Sequence, residues 1–211
     1  MNIIEEHYAK PSSYVDTLQE QINNGMYAHL FEGKKDLVFL DIGANIGLVS
    51  IYAVPFCKRI VALEPSPDVF PVLQHMTKRY DIIEPYPRAL ATTDGLCTFF
   101  VNDINSTASS SVNTYGHKIE VIGRTLKSIL VEYRLDHVDV CKIDAEGAEG
   151  ESLDFYQLSY AKDIIKTLYI ETHNCPLTSW EHKLGTIVGN LARLGYHDMQ
   201  ISGMAITVTR P

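Results

Sequence analysis

Apolar and polar positions follow two rhythms along this chain. Short apolar runs that close on an acid recur at Leu37–Leu40 before Asp41, Val61–Leu63 before Glu64, Val138–Ile143 before Asp144, and Ile165–Ile170 before Glu171. Each reads as a strand buried on both faces. Between them, apolar residues return at threes and fours. The spacing predicts helices over Leu48–Phe56, over Asp68–Tyr80 with Val69, Val72, Leu73 and Met76 inward, from a Thr125 cap to Tyr133, over Ala148–Tyr156, and over Trp180–Leu194. Leu184, Ile187, Val188 and Leu191 form the stripe of that last helix, and Gly195 stops it. Strands alternating with helices in this way build an α/β layer with a mainly parallel sheet.

The remaining segments are less regular. Ile82–Leu90 predicts a third strand, which Pro85 and Pro87 push toward a sheet edge. Asp94-Gly95 is a turn signal that would pair Arg88–Ala91 with Leu96–Val101 as a hairpin, and Ile119–Ile122 would re-enter the fold as a strand. Tyr196–Ile201 and Met204–Thr209, about Ser202-Gly203, predict a closing hairpin. Ahead of the first strand, Ser12–Phe31 reads as amphipathic helix broken near Asn23-Asn24-Gly25. It would cover either the sheet or a ligand mouth. The Ser-rich stretch Asn102–Gly116 can bury little, and it reads either as a plain surface loop or as a lid.

Candidate chemistry starts where the first run breaks, at Asp41-Ile42-Gly43-Ala44-Asn45-Ile46-Gly47. A strand, a glycine turn and a helix start form a ligand site, with Gly43 freeing the turn, Gly47 admitting a ligand to the helix, and helix N–H groups favouring a negative group. Glu64 lies where nucleotide-binding α/β units hold ribose hydroxyls. Asn45 occupies the place of the middle glycine in the dinucleotide fingerprint, which disfavours a pyrophosphate and favours S-adenosylmethionine. Asp41, Gly43, Ala44, Asn45, Gly47 and Glu64 are therefore the cofactor-binding candidates.

These motifs, with Val61-Ala62-Leu63-Glu64-Pro65-Ser66-Pro67, Lys142-Ile143-Asp144-Ala145-Glu146-Gly147-Ala148-Glu149 and Tyr169-Ile170-Glu171-Thr172-His173, resemble the FkbM family of methyltransferases. The resemblance runs from about residue 36 to the end. It implies a Rossmann-like class I fold, a mostly parallel seven-stranded sheet with a C-terminal antiparallel hairpin and helices on both faces. It also implies S-adenosylmethionine as cofactor and O-methylation of a sugar or small secondary metabolite. The domain would span 36–211, with a helical segment over 1–35.

Asp144, Glu146 and His173 are the candidates for activating the acceptor hydroxyl. Asp144 stands at its strand tip, whereas Glu146 follows in the loop and would point elsewhere. Lys142 either points outward or tunes the acids, and Glu149 reads as an acid at a helix N-terminus. The acids with His173 also suit a divalent ion, but no closely spaced ligand motif supports one, and no residue is assigned to a metal. A nicotinamide-dependent oxidoreductase and a non-catalytic cofactor-binding subunit are the competing readings.

Composition narrows the partners. At 211 residues, 45% hydrophobic and 21% charged, the chain fits one domain without a membrane span. The acidic start carries no secretion signal, and a cytoplasmic protein is expected. Cys57, Cys97, Cys141 and Cys175 are too scattered for a zinc motif. A net charge of −8 argues against nucleic acid and leaves a small-molecule or carbohydrate acceptor as the expected partner.

Overall fold

The computed structural model describes residues 22–101, 117–174 and 178–210. Its centre is a seven-stranded sheet of order β3-β2-β1-β7-β8-β10-β9. Four of its strands are β1 (Leu37–Ile42), β2 (Cys57–Leu63), β7 (Val138–Ile143) and β8 (Ile165–Glu171). All four run parallel, and β3 (Ile83–Tyr86) joins them in parallel at the edge that its proline implied. On the other side β10 (Ala205–Thr209) pairs antiparallel with β8, and β9 (Met199–Ser202) antiparallel with β10.

Every residue of β1 is buried, because helices cover both faces of the sheet. One face packs on Leu126, Ile129, Leu158, Leu184, Ile187 and Leu191. The other packs on α1 (Ala28–Phe31), α2 (Leu48–Ala53) and α3 (Phe70–Thr77), through residues such as Leu30, Phe31, Val49, Val72 and Leu73. This is the Rossmann-like class I architecture. Strand order reverses between β1 and β7, so the carboxyl ends of the parallel strands open a crevice there.

Several elements are shorter or broken where local chemistry intervenes. The Leu48–Phe56 helix becomes α2 and a 3₁₀ turn, Val54–Phe56, at Pro55. Ala148–Tyr156 is not one helix: Asp154 accepts the Gln157 N–H at 2.8 Å and starts a second one, giving α5 (Glu149–Ser152) and α6 (Phe155–Ala161). Thr125 caps α4 (Leu126–Glu132) as expected, and α7 runs Trp180–Arg193. Near the N-terminus the chain turns at Gly25 before α1; the rest of the Ser12–Phe31 reading, like that of Asn102–Gly116, falls outside the described residues.

The expected Asp94-Gly95 hairpin does not form. β4 (Ala89–Leu90) and β5 (Gly95–Val101) belong to a separate three-stranded sheet, but β6 (His117–Arg124) lies between them, parallel to β4 and antiparallel to β5. Asp94 closes no tight turn. Its carboxylate accepts the Thr125 N–H at 2.9 Å and the Ser128 hydroxyl at 2.6 Å, tying the connection to the start of α4.

Candidate active site

The glycine loop leaves β1 with Gly43, Asn45 and Gly47 at φ of 78°, 52° and 87°. A Cβ on Gly43 would stand 1.7 Å from the Asp144 carbonyl oxygen, so only glycine lets this turn lie against the chain leaving β7. Gly47 has a packing reason besides the one expected. A Cβ there would meet Leu73 Cδ1 at 2.7 Å and Thr77 Cγ2 at 3.1 Å, so its glycine also serves the packing of α2 on α3.

The N–H groups of the loop itself, ahead of the first helical turn, are committed within the protein. Gly43 and Ala44 donate to the Leu63 carbonyl at 3.0 and 2.9 Å, Gly47 to the Ala44 carbonyl at 2.9 Å, and Ile46 to Asn45 Oδ1 at 2.8 Å. Asn45 donates to Glu64 Oε2 at 3.0 Å, while Ser66 donates to Glu64 Oε1 at 2.8 Å. Burial pushes the Glu64 carboxyl up to about 7, against the pull of those two donors. Each Glu64 oxygen keeps acceptor capacity, because a carboxylate oxygen carries two lone pairs.

Beneath the loop, Asp41 is fully buried. Its Oδ2 accepts the Ser50 hydroxyl at 2.7 Å, and its Oδ1 lies 3.5 Å from Lys142 Nζ. Lys142 does not point outward; at 2% exposure it donates to the Gly43 carbonyl at 3.1 Å and pairs with Asp144 Oδ2 at 3.1 Å. Burial works against its charge, but Asp144 and Asp41 outweigh burial and hold the ammonium well above its usual range.

Asp144, Glu146 and His173 come together. His173 Nε2 lies 3.7 Å from Asp144 Oδ1, 3.8 Å from Glu171 Oε1 and 4.0 Å from Glu146 Oε2. Glu146 therefore does not point elsewhere, because Glu146 and Gly147, at φ of 50° and 111°, turn the loop back on the site. Burial favours the neutral forms of Glu146 and Glu171, with Asp144 adding repulsion to both. Burial also disfavours the His173 imidazolium, yet the bond to Glu149 and the charges of Glu146 and Asp144 win and raise it to about 9.

Two residues brace this cluster from behind. Glu149, fully buried at the start of α5, accepts from Ala145 N–H at 2.8 Å and from Gly147 N–H at 3.0 and 3.1 Å, and contacts His173 Nδ1 at 3.3 Å. It holds the loop before its helix more than the helix itself. Lys183, 2% exposed on α7, donates to the Gly147 carbonyl at 2.6 Å and the His173 carbonyl at 2.8 Å. Its stem runs over Gly150, where a Cβ would meet Lys183 Cγ at 2.5 Å. Sequence reasoning passed over Lys183, although its place four residues before Ile187, on the apolar stripe of α7, is a visible signal.

A family model, the methyltransferase FkbM domain, matches residues 41–197. The chain belongs to this family. It is a methyltransferase, and the nicotinamide-dependent alternative falls. No curated protein matches this chain. Among solved structures, the FkbM-family chain is similar to a precorrin-6y C5,15-methyltransferase from Geobacter metallireducens, with a TM-score of 0.54, 16% identity, and 90% of this chain and 89% of that one covered. It is also similar to a Clostridium thermocellum protein named for rRNA methylation, with a TM-score of 0.56, 8% identity, and 89% and 93% covered. A third is the Methanococcus jannaschii fibrillarin pre-rRNA processing protein, with a TM-score of 0.50, 14% identity, and 83% and 66% covered.

These likenesses correct one expectation. The exclusion of nucleic acid, and with it the restriction to a small-molecule or carbohydrate acceptor, does not stand, because the same fold serves proteins named for rRNA work. Net charge averages a whole surface, whereas phosphate contacts need only a local patch. Among the described residues no helix is long and apolar enough to cross a membrane.

Proposed function

We propose that this FkbM-family protein transfers the methyl group of S-adenosylmethionine to a hydroxyl oxygen. Lys142 carries the reading: its ammonium reaches both the Gly43 carbonyl and the Asp144 carboxylate, so the glycine loop and the acids around His173 form one site. The cofactor fits the donor side on chemical grounds. With its N–H groups committed, the loop has little to offer a pyrophosphate, while Glu64 can still accept from ribose hydroxyls and the acids nearby favour a sulfonium and an ammonium.

The cofactor supplies a methyl group activated on sulfur. Attack by the acceptor oxygen forms the O–CH₃ bond, sulfur keeps the electron pair of the broken C–S bond, and S-adenosylhomocysteine is released. The chain's own residues must position that oxygen and take its proton, a role for Asp144, Glu146 and His173. Glu171 adjoins a cavity of about 410 Å³, also lined by His29, Tyr169, Gln200 and Ser202, which offers room on this side. Tyr27, packed edge-on to Tyr169 at 5.5 Å, supports the described stretch from residue 22 through α1 as a cover for the acceptor side.

Calorimetry with S-adenosylhomocysteine and with NAD tests the donor side. Only the first should bind, and Glu64→Ala should weaken it by about 1–3 kcal/mol. Labelled S-adenosylmethionine offered with structured RNAs and with hydroxylated small molecules tests the acceptor. On the acceptor found, Asp144→Asn should lower turnover by roughly 10²–10⁴ while sparing cofactor affinity. Label recovered on nitrogen or carbon would overturn O-methylation, and unchanged turnover would remove Asp144 from the chemistry.

A further inference from the structure

His173 presents one ring nitrogen to buried scaffold and the other to a ring of oxygens. Its Nδ1 is held by Glu149, which backbone N–H groups fix in turn, so Nε2 is the nitrogen that gives up its proton when a cation takes its place. Asp144 Oδ1, Glu171 Oε1 and Glu146 Oε2 face that nitrogen at 3.7, 3.8 and 4.0 Å, and donor atoms of Asp144, Glu146 and His173 lie within 4.8 Å of one another.

A proton on Nε2 meets these oxygens only as an ion pair and hydrogen-bonds to none of them, since all three distances exceed hydrogen-bond length. Asp144 Oδ1 is moreover a buried oxygen with no hydrogen-bond partner among the described residues. Donors bound to one small cation at about 2.1 Å stand roughly 3–4 Å apart; the cluster is a little wider, with donor atoms within 4.8 Å of one another, and would draw in around an ion. A carboxylate behind the ligating imidazole is also the usual support of a metal-bound histidine.

We infer that Asp144, Glu146 and His173, with Glu171 beside them, form a binding site for an oxygen-preferring divalent cation of the Mn²⁺ or Mg²⁺ type. Oxygen-rich donors with a single imidazole and no thiolate suit such ions. In the methyl transfer proposed above, on which this part of the inference rests, the cation would bind the acceptor oxygen and lower the pKa of its hydroxyl, Glu171 beside the ligands would take the proton, and Asp144, Glu146 and His173 would position the ion. Lys142 stays on the cofactor side of Asp144, bound through the other carboxylate oxygen.

The test is titration of Mn²⁺ alone into the full chain by calorimetry, with S-adenosylhomocysteine affinity and circular dichroism measured on the same samples. Saturable uptake is expected, weakened at least about tenfold in Asp144→Asn and in His173→Ala, with cofactor affinity retained. Glu146→Gln, a loop substitution, provides the same reading should His173→Ala fail to fold. No saturable uptake by the wild type, or equal uptake in Asp144→Asn and Glu146→Gln, overturns the cation site. Failure of S-adenosylhomocysteine to bind would instead overturn the cofactor reading and leave the Mn²⁺ result standing.

Discussion

The two halves of the crevice are built on opposite principles. On the glycine-loop side, the groups that define the shape are backbone, and they satisfy one another: the loop N–H groups end on Leu63, Ala44, Asn45 and Glu64. On the His173 side, the shape comes from charged side chains brought in by β7, β8 and the loop between Asp144 and Glu149, and one buried oxygen has no partner. The first half is moulded in backbone, although the buried Asp41 Oδ1 and Ser66 Oγ beside it also have no hydrogen-bond partner among the described residues. The second is braced from behind by Glu149 and Lys183. A site that must recognise one fixed cofactor and then act on a separate acceptor is well served by such a division.

The largest effect should come from breaking the contact between the halves. Gly43→Ala puts a methyl into the Asp144 carbonyl at a positive φ, and should cost roughly 2–5 kcal/mol in urea unfolding and abolish S-adenosylhomocysteine binding. Next comes the brace. Lys183→Met leaves the Gly147 and His173 carbonyls without their donor, at about 1–3 kcal/mol, and should lower turnover more than it lowers cofactor affinity.

A smaller signal lies in pH. His173 is raised from 6.5 to about 9 in the folded protein, so the stability it contributes is full below about 6.5 and is lost as pH rises through about 9. Across that window unfolding free energy should fall by at most about 1.4 kcal/mol per pH unit from this group, and the fall should shrink in His173→Gln. Mn²⁺ binding to the imidazole should shrink it too. The smallest change should be Asn45→Gly on the moulded side. It gives up the Oδ1 bond to Ile46 N–H but relieves a positive φ, so stability should move by no more than about 0.5 kcal/mol.

What could be read in advance follows the same division. The sheet, its edge strand, the closing hairpin and the glycine turn were legible because each is written in a few adjacent residues: an apolar run, a proline pair, a glycine at a strand end. The packing reason for Gly47 was not, because it lies in Leu73 and Thr77 on another helix. Nor was the direction of Glu146, which depends on two backbone angles that composition does not announce. The β4-β6-β5 order escaped because Asp94 makes its bonds with Thr125 and Ser128, some thirty residues on. The fully paired loop escaped as well, since a glycine pattern says that a chain turns but not where its N–H groups end. Lys183 was overlooked for a plainer reason: a single cation in an apolar stripe invites dismissal, although a buried lysine needs partners and so points to carbonyls that want one.

The pairing of β1 with β7 also sets when this site comes into being. Phe39 lies beside Val140 and Leu40 beside Cys141, so neighbours at the heart of the sheet are made about a hundred residues apart. A chain emerging from the ribosome carries the complete glycine loop long before it carries Asp144, His173 or Lys183, and contacts this distant in sequence are slow to close. During that interval β1 exposes an apolar edge with nothing alongside it. The centre of the sheet is therefore a late part of this fold for synthesis to complete, and the unpaired strand edge is its exposed stage.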